Sequence, residues 1–357
     1  EYWDNGDIPW LQSGCCQNCD VDSTEKYITK EGYNNSSTHM MSADTVMIAL
    51  TGATAGKVGY LKFEACGNQS ITGILPCESL NQRYLFFYLL SQREKILADC
   101  VGGAQAHISQ SYVKNMTIPI LAIKEQEQIV GELTKVSNIV SLRQEEIQQL
   151  DNLVKARFVE MFGDCTNMIS LSELCLIIKD GTHQSPKFQH DGIPFILVSN
   201  LSKNTVTYDT DKFISAETYK ELYKRTPIEI GDILLSTVGS YGHPAVVVED
   251  RKFLFQRHIA YLKPKSDILN SYYMHGALLS PGCQRQIEEK VKGIAQKTLN
   301  LSEIRKIRIP VSSLDLQKQY ADFVHQVNKS KFDTMTFAPI YAIINLYLHT
   351  YFYQGRR

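Results

Sequence analysis

The residue types that could do chemistry in this chain sit mostly in short loops. Gly52-Ala53-Thr54-Ala55-Gly56-Lys57-Val58 has the outline of a phosphate-binding loop. That motif needs four residues between its glycines and a Ser or Thr after the Lys, to wrap the phosphates and reach magnesium. Here three residues intervene and Val58 follows, so a tight turn between two strands is expected instead. Cys16 and Cys19 have the spacing of half a zinc site, but no second pair follows and His39 stands alone. Glu288-Glu289-Lys290 lacks the strand Asp that a nuclease centre would place before it, and its setting reads as a solvated helix face. No two prolines are adjacent, which excludes an amino-methyltransferase pocket of the Asn-Pro-Pro-Tyr kind, and no Gly-x-Ser-x-Gly elbow occurs. Neither a catalytic constellation nor a metal site is expected.

What remains is a set of polar loops that recurs. The first half carries Lys57, Gln69 with Ser70, and Gln105-Ala106-His107. The second carries His243, Gln256-Arg257-His258 and Gln296-Lys297-Thr298 at matching places, and adds Asp180-Gly181-Thr182-His183-Gln184-Ser185-Pro186-Lys187. Gln, Arg, His and Lys are the side chains that reach base edges and phosphates, Arg pairing with guanine and Gln with adenine. Backbone amides in Gly-rich turns can hold phosphate oxygens as well. Ordinary surface loops supply the same residue types, and Gln256 and His258 buried at strand ends are a competing expectation. Recurrence at matching places in both halves is what singles these residues out.

The elements that would position these loops also occur twice. Ile8-Pro9-Trp10-Leu11 answers to Ile193-Pro194-Phe195-Ile196, and Asp44 to Ile48 answers to Gly231 to Leu235. Tyr84 to Leu90 answers to Tyr272 to Leu279, Ile118-Pro119 to Ile309-Pro310, and Gln126-Glu127-Gln128 to Gln317-Lys318-Gln319. The offset drifts from 185 to 191, as loop-length differences allow, and a period this long marks duplicated domains rather than a solenoid. Each copy reads as short strands and turns, a helix, a Gly-rich loop, a final strand ending in Ile-Pro, and a helix. The lead-in Leu171 to His190 has no counterpart in the first copy. The first copy is accordingly expected to be cut near its start, and the opening Glu1 points the same way.

Between the copies lies Ile123 to Phe162, forty residues without Pro. Steps of four and three from Ile129 give Leu133, Val136, Val140, Arg143, Ile147, Leu150, Val154, Arg157 and Met161, a heptad seam with two Arg interruptions. A helix this long with one narrow apolar stripe is a spacer that needs a partner. At 1.5 Å per residue it runs roughly 55–60 Å, more than one turn of B-DNA and less than two. The second copy's trailing helix keeps Tyr320, Phe323 and Val327 on one face, then loses the pattern near Phe332. The seam from about Ile147 onward is therefore expected to lack cover, unless Tyr341, Ile344, Leu348, Tyr351 and Phe352 pack there.

With 43% hydrophobic and 21% charged residues in 357, the composition is that of an ordinary globular chain of two or three domains. The net charge of −1 hides an asymmetry. Residues 1–163 hold 13 Lys and Arg against 19 Asp and Glu, a net −6, and residues 164–357 hold 24 against 19, a net +5. A nucleic-acid partner would thus rely on local patches. Nine scattered cysteines suit a reducing, cytoplasmic setting. The aromatic stretch from Pro339 to Tyr353 is too short and too interrupted to cross a membrane.

This architecture resembles the specificity subunit of type I restriction–modification systems. The resemblance is carried by the two modules each ending in Ile-Pro before a Gln-x-Gln helix start, by Lys155-Ala156-Arg157-Phe158-Val159-Glu160-Met161-Phe162-Gly163-Asp164, by Asp180-Gly181-Thr182-His183, and by Gly231-Asp232-Ile233-Leu234-Leu235. It covers about residues 1–332. It implies an α+β fold of two homologous mixed α/β target-recognition domains, separated by long helices that form an antiparallel coiled coil. The expected divisions are 1–122 (first domain, N-terminally truncated), 123–163 (spacer helix), 164–314 (second domain), 315–332 (short second helix) and 333–357 (an atypical aromatic tail).

By the same resemblance the chain is a non-catalytic reader of double-stranded DNA within an adenine methyltransferase and site-specific endonuclease complex. Each domain takes half of a bipartite target. The implied DNA contacts are Lys57, Gln69, Gln105, His107, His183, Gln184, Lys187, His243, Gln256, Arg257, His258, Gln296 and Lys297. Leu133, Val136, Val140, Ile147, Leu150 and Val154 mark the helix that binds partners, two methyltransferase subunits in the family, with restriction subunits joining. No cofactor is implied on this chain, since S-adenosylmethionine, ATP and Mg belong to the other subunits. Two other readings stay open. One is an inactive scaffold that keeps partner binding; the other is the recognition portion of a larger single-chain restriction–methylation enzyme.

Overall fold

A computed structural model describes residues 2–100, 106–293 and 297–335, together with Ile344 and Tyr347. The chain divides into two units, Glu1–Gln144 joined by Ile344 and Tyr347, and Glu145–Met335. In the first unit β1 (Ile8–Leu11), β2 (Cys19–Val21) and β3 (Tyr27–Ile28) precede a short helix α1 (Lys30–Asn34). Then come β4 (Val46–Ala49), β5 (Val58–Leu61), β6 (Cys66–Gly67) and β7 (Ile71–Ile74), followed by α2 (Gln82–Ser91), α3 (Arg93–Ala98) and α4 (Gln110–Lys114). Two sheets result, ordered β3-β1-β6 and β2-β5-β4-β7.

The run Thr45 to Leu50 is apolar enough to bury both faces of its strand, and every residue of β4 is buried. The period-two alternation divides it. Val46 and Ile48 pack with Tyr84, Phe86, Phe87 and Leu90 of α2, whereas Met47 and Ala49 pack with Leu11, Ala65 and Ile71 on the opposite side. Asn81 caps α2, its Oδ1 accepting from the amides of Arg83 and Tyr84.

Helix α5 (Ile123–Phe162) follows and is continuous over 40 residues. The second unit then opens with β8 (Met168–Ser170), α6 (Leu171–Leu174) and β9 (Cys175–Asp180). Its remaining elements are β10 (Ile193–Ile196), β11 (Phe213–Ile214), α7 (Ala216–Tyr223), β12 (Ile233–Ser236), β13 (Pro244–Val246), β14 (Leu254–Phe255) and β15 (Ile259–Pro264). They end with α8 (Ser271–Leu279), α9 (Pro281–Lys290), α10 (Leu301–Lys306), β16 (Arg308–Pro310) and α11 (Leu314–Met335).

The duplication is visible in register. In the first unit Ile8 and Pro9 pair antiparallel with Ile28 and Tyr27, and Trp10 pairs parallel with Cys66. In the second Ile193 and Pro194 pair with Ile214 and Phe213, and Phe195 with Leu254. The units differ where the lead-in lies. β9 extends the second sheet to β13-β12-β15-β9, and β8 pairs with β16. Among the described residues β7 has β4 on one side only, and the expected Ile-Pro strand at Thr117 to Pro119 does not form for want of a β8 to pair with. An edge leaves alternate backbone amides to solvent. Hydrogen exchange of the full chain should find alternate β7 amides poorly protected and those of β15 uniformly protected. Uniform protection along β7 would show that its edge is paired.

The antiparallel course of α11 corrects the expectation about the seam. Val154, Phe158 and Phe162 are buried, in one cluster with Tyr320, Val324 and Val327, and Lys331 pairs with Asp151. Because α11 runs backwards along α5, its first turns meet the last turns of α5, so the half expected to be bare is covered. Ile129 and Leu133 are buried against α2, in the same cluster as Ile344, and the Tyr347 hydroxyl donates to the Glu132 carboxylate. Ile344 thus packs, but near the start of α5. Tyr341, Leu348, Tyr351 and Phe352 lie outside the described residues. Among the described residues no helix is long and apolar enough to cross a membrane.

Candidate nucleic-acid interface

The polar loops are gathered at one end of the main sheet in each unit, because three strand ends meet there. In the first unit these are the end of β4 and the starts of β5 and β7. Leu50 N donates to Ser70 O at 2.8 Å, Gly52 N to Ala106 O at 3.0 Å, and Ile108 N to Leu50 O at 2.9 Å. In the second unit Thr237 N donates to His258 O at 2.9 Å, Gly239 N to Lys297 O at 3.0 Å, and Leu299 N to Thr237 O at 2.8 Å. The same backbone knot is tied twice. Its turn needs left-handed residues at both ends, which Gly52 and Gly56 (φ 73° and 72°) and Gly239 and Gly242 (φ 72° and 79°) supply. The phosphate-loop look-alike is this turn.

The knot brings Gln69, His107 and Lys57 together in the first unit. Gln69 and His107 are exposed, and Lys57 is half-buried with its Nζ donating to Gln17 Oε1 at 2.6 Å. In the second unit it gathers Gln256, Arg257, His258, His243 and Lys297. Arg257 and Lys297 are exposed, whereas Gln256, His243 and His258 are half-buried. Among the described residues the Gln256 side-chain amide has no hydrogen-bond partner. His243 is held at Asn204, with Nδ1 3.1 Å from Oδ1, and burial pushes its pKa down. Burial and then the neighbouring Arg257 do the same to His258, whose Nε2 accepts from Arg257 Nε at 3.3 Å. Both imidazoles thus lean toward the neutral form, suited to hydrogen bonding more than to charge pairing. Gln105 and Gln296 lie outside the described residues.

Asp180-Gly181-Thr182-His183 connects β9 to this cluster. Thr182 N donates to Phe255 O at 2.9 Å and Arg257 N donates to Thr182 O at 3.0 Å. A Cβ on Gly181 would lie 2.4 Å from Phe255 O, so only Gly lets β9 approach so closely. His183, Gln184 and Lys187 are exposed, and His183 Nε2 sits 2.7 Å from Asp180 Oδ2. Among the described residues no group of three His, Cys, Asp or Glu side chains could hold a metal. Cys16 is buried and Cys19 exposed.

A profile of the type I restriction modification DNA specificity domain matches residues 1–152 and again 166–339. The chain belongs to this family. Among relatives of the specificity-domain chain, the EcoR124I/EcoR124II specificity subunit of Escherichia coli is 32% identical over 146 residues, 40% of this chain and 36% of that protein. The EcoBI specificity subunit of Escherichia coli is 25% identical over 279 residues, 75% of this chain and 56% of that protein. The chain thus spans between about a third and just over half of the length of these two relatives. A chain from a study of complex assembly and conformational transition of the type I R-M system superposes with a TM-score of 0.50 at 18% identity, covering 96% of this chain and 90% of that one. That likeness is one of fold.

Several residues that recur in the two specificity domains have a structural role that their recurrence does not reveal. Gln126 Oε1 accepts from Asn81 N at 2.7 Å, and its Nε2 donates to Ser79 O at 3.2 Å and Leu121 O at 2.9 Å. Gln317 repeats this with Asn270 N at 2.8 Å, Ile268 O at 3.0 Å and Ser312 O at 2.9 Å. The Tyr84 hydroxyl donates to Pro119 O and the Tyr273 hydroxyl to Pro310 O, at 2.9 and 2.8 Å. These bonds explain why Ile-Pro and Gln-x-Gln recur together: each long helix is locked to the module that precedes it. The signal was in the sequence, as Asn81 and Asn270 at matching offsets, but it carried no chemistry to draw notice.

Along α5, Leu133, Val140 and Val154 are buried within the chain, and Val136, Ile147 and Leu150 are half-buried. Ile139, Leu142, Leu153 and Val159 are exposed, Leu142 the most at 63%.

Proposed function

We propose that this chain is the DNA sequence-specificity subunit of a type I restriction–modification complex, with each domain reading half of a split duplex target. The observation that carries this reading is the repeated backbone knot, which presents equivalent polar side chains at the same sheet end of two domains. A bipartite target requires two readers, and the specificity domain occurs twice along this chain. In the second domain Arg257 and Gln256 would contact base edges, with Lys297, Lys187, His183 and Gln184 beside them. In the first, Gln69 and His107 would do so with Lys57 near a phosphate. Gln105 and Gln296 belong to the same proposed set.

The chain would carry no catalysis itself. Methylation with S-adenosylmethionine would fall to two methyltransferase subunits, and ATP- and Mg-dependent cleavage to restriction subunits. Since much of the seam is spent inside the chain, docking of the methyltransferase subunits is assigned to the exposed Ile139, Leu142, Leu153 and Val159 together with the half-buried seam residues. Nine free thiols support a reducing, cytoplasmic setting. The test is the map of sites methylated by the chain reconstituted with its methyltransferase partner, for which a split motif is expected and the lack of any motif would refute the reading.

A further inference from the structure

Beside the reading loop of the second unit lies a cleft of about 390 Å³. Lys179 and His183 line one wall, Lys224 and Arg225 the other, with Gly181 and Thr182 between. The two walls come from different elements, the end of β9 with its following turn and the residues that leave α7. Lys179, Lys224 and Arg225 are exposed, and among the described residues none has a carboxylate partner. Asp180, the acidic residue of the lining, is engaged by the His183 imidazole at 2.7 Å. The carbonyl end of α7 adds a partial negative charge, which the two cations immediately after it outweigh. Three cations therefore face one concavity that holds a single carboxylate.

We propose that this cleft holds a backbone phosphate of the DNA strand whose bases lie over Gln256 and Arg257. The inference rests on the DNA-reading function proposed above and adds Lys179, Lys224 and Arg225 to it. Thr182 ties the cleft to the reading loop, since its N–H donates to Phe255 O and its carbonyl accepts from Arg257 N. A group held in the cleft is thereby fixed relative to Arg257. Flexible lysine cations suit a phosphate, which they meet as point charges, better than a base edge, which needs planar donor–acceptor pairs. Such an interaction sets register and orientation and carries no sequence information.

The test uses the full chain, fluorescent duplexes and anisotropy titrations between about 50 and 300 mM salt. In the triple variant Lys179→Gln, Lys224→Gln, Arg225→Gln the slope of log affinity against log salt should shrink by about 1, at roughly 0.9 for the one phosphate no longer neutralised. Affinity at low salt should drop about 10- to 100-fold, equally for target and non-target duplexes. All three positions are exposed, and the charge-conserving variant Lys179→Arg, Lys224→Arg, Arg225→Lys should restore the slope. A wild-type chain that binds duplex with a slope the triple variant leaves unchanged overturns the cleft alone. A wild-type chain with no salt-dependent duplex binding overturns the DNA-reading function, and the cleft with it. Inorganic phosphate at matched ionic strength is the third arm. Thermal stabilisation of the wild type but not of the triple variant by phosphate, with an unchanged duplex slope, would make the cleft a small-anion site and overturn the proposal.

Discussion

Gln317→Ala should lower the unfolding free energy of the second unit by about 2–4 kcal/mol, because it removes three hydrogen bonds at once and strands buried partners. Gln317 is fully buried. Without it the amide of Asn270 and the carbonyls of Ile268 and Ser312 are left without their bonds, at the point where α11 enters and α8 begins. Gln126→Ala should act the same way in the first unit, on Asn81, Ser79 and Leu121. Glu at either site would be no rescue, since an ionised carboxylate would face two carbonyls it cannot donate to. Gln319→Ala is the control, as that side chain is exposed and should cost less than about 0.5 kcal/mol. Urea unfolding reads the difference. Equal losses for Gln317→Ala and Gln319→Ala would mean that the lock is not energetically important.

Phe158→Ala should cost about 3–5 kcal/mol, the usual range for emptying an aromatic site in a well-packed core. The Phe158 ring lies 5.1 Å from Phe162, 5.3 Å from Tyr273 and 5.3 Å from Tyr320, centroid to centroid, so four rings from three helices share one cluster. Gly276 admits Tyr320 into it, since a Cβ there would fall 2.4 Å from the Tyr320 hydroxyl and 2.9 Å from the Phe158 ring. The pairing of α5 with α11 depends on this cluster, and loss of the helix signal should therefore be disproportionate to one side chain. Leu153→Ala, on an exposed site of the same helix, should leave stability within about 0.5 kcal/mol. A Phe158→Ala variant that unfolds with the wild-type midpoint would contradict the role given to the junction.

Much of this was legible from residue order alone. The long helix shows in an uninterrupted heptad, and the structure carries it from Ile123 to Phe162. The equivalence of Ser70 with His258, and of Lys57 with His243, follows from the repeat and is met again in the backbone bonds. Other features depend on partners distant in sequence. Thr117 to Pro119 reads like Arg308 to Pro310, yet only the latter is a strand, because a strand exists only where another pairs with it. The cover of the seam is legible only with its partner in place: an antiparallel helix, as the resemblance implies, lays its first turns on the last turns of α5, so the half from Ile147 onward is the covered one. Lys179, Lys224 and Arg225 show no motif at all. They converge only because the end of α7 folds back beside β9. His243 was legible as polar and recurrent, but its anchor Asn204, a left-handed residue at φ 57°, lies 39 positions away in the chain.

The most direct measurement is the genome-wide map of adenines methylated by this chain reconstituted with the methyltransferase subunits proposed for it, wild type and Gln256→Ala, Arg257→Ala side by side. The wild-type complex should mark a single motif of two defined halves around a spacer of constant length. The double variant should relax one half and leave the other half and the spacer intact, each bidentate base pairing being worth about 1–3 kcal/mol of discrimination. Methylation without a motif, a contiguous motif, or a variant that degrades both halves alike would contradict the assignment of one half-site to each domain.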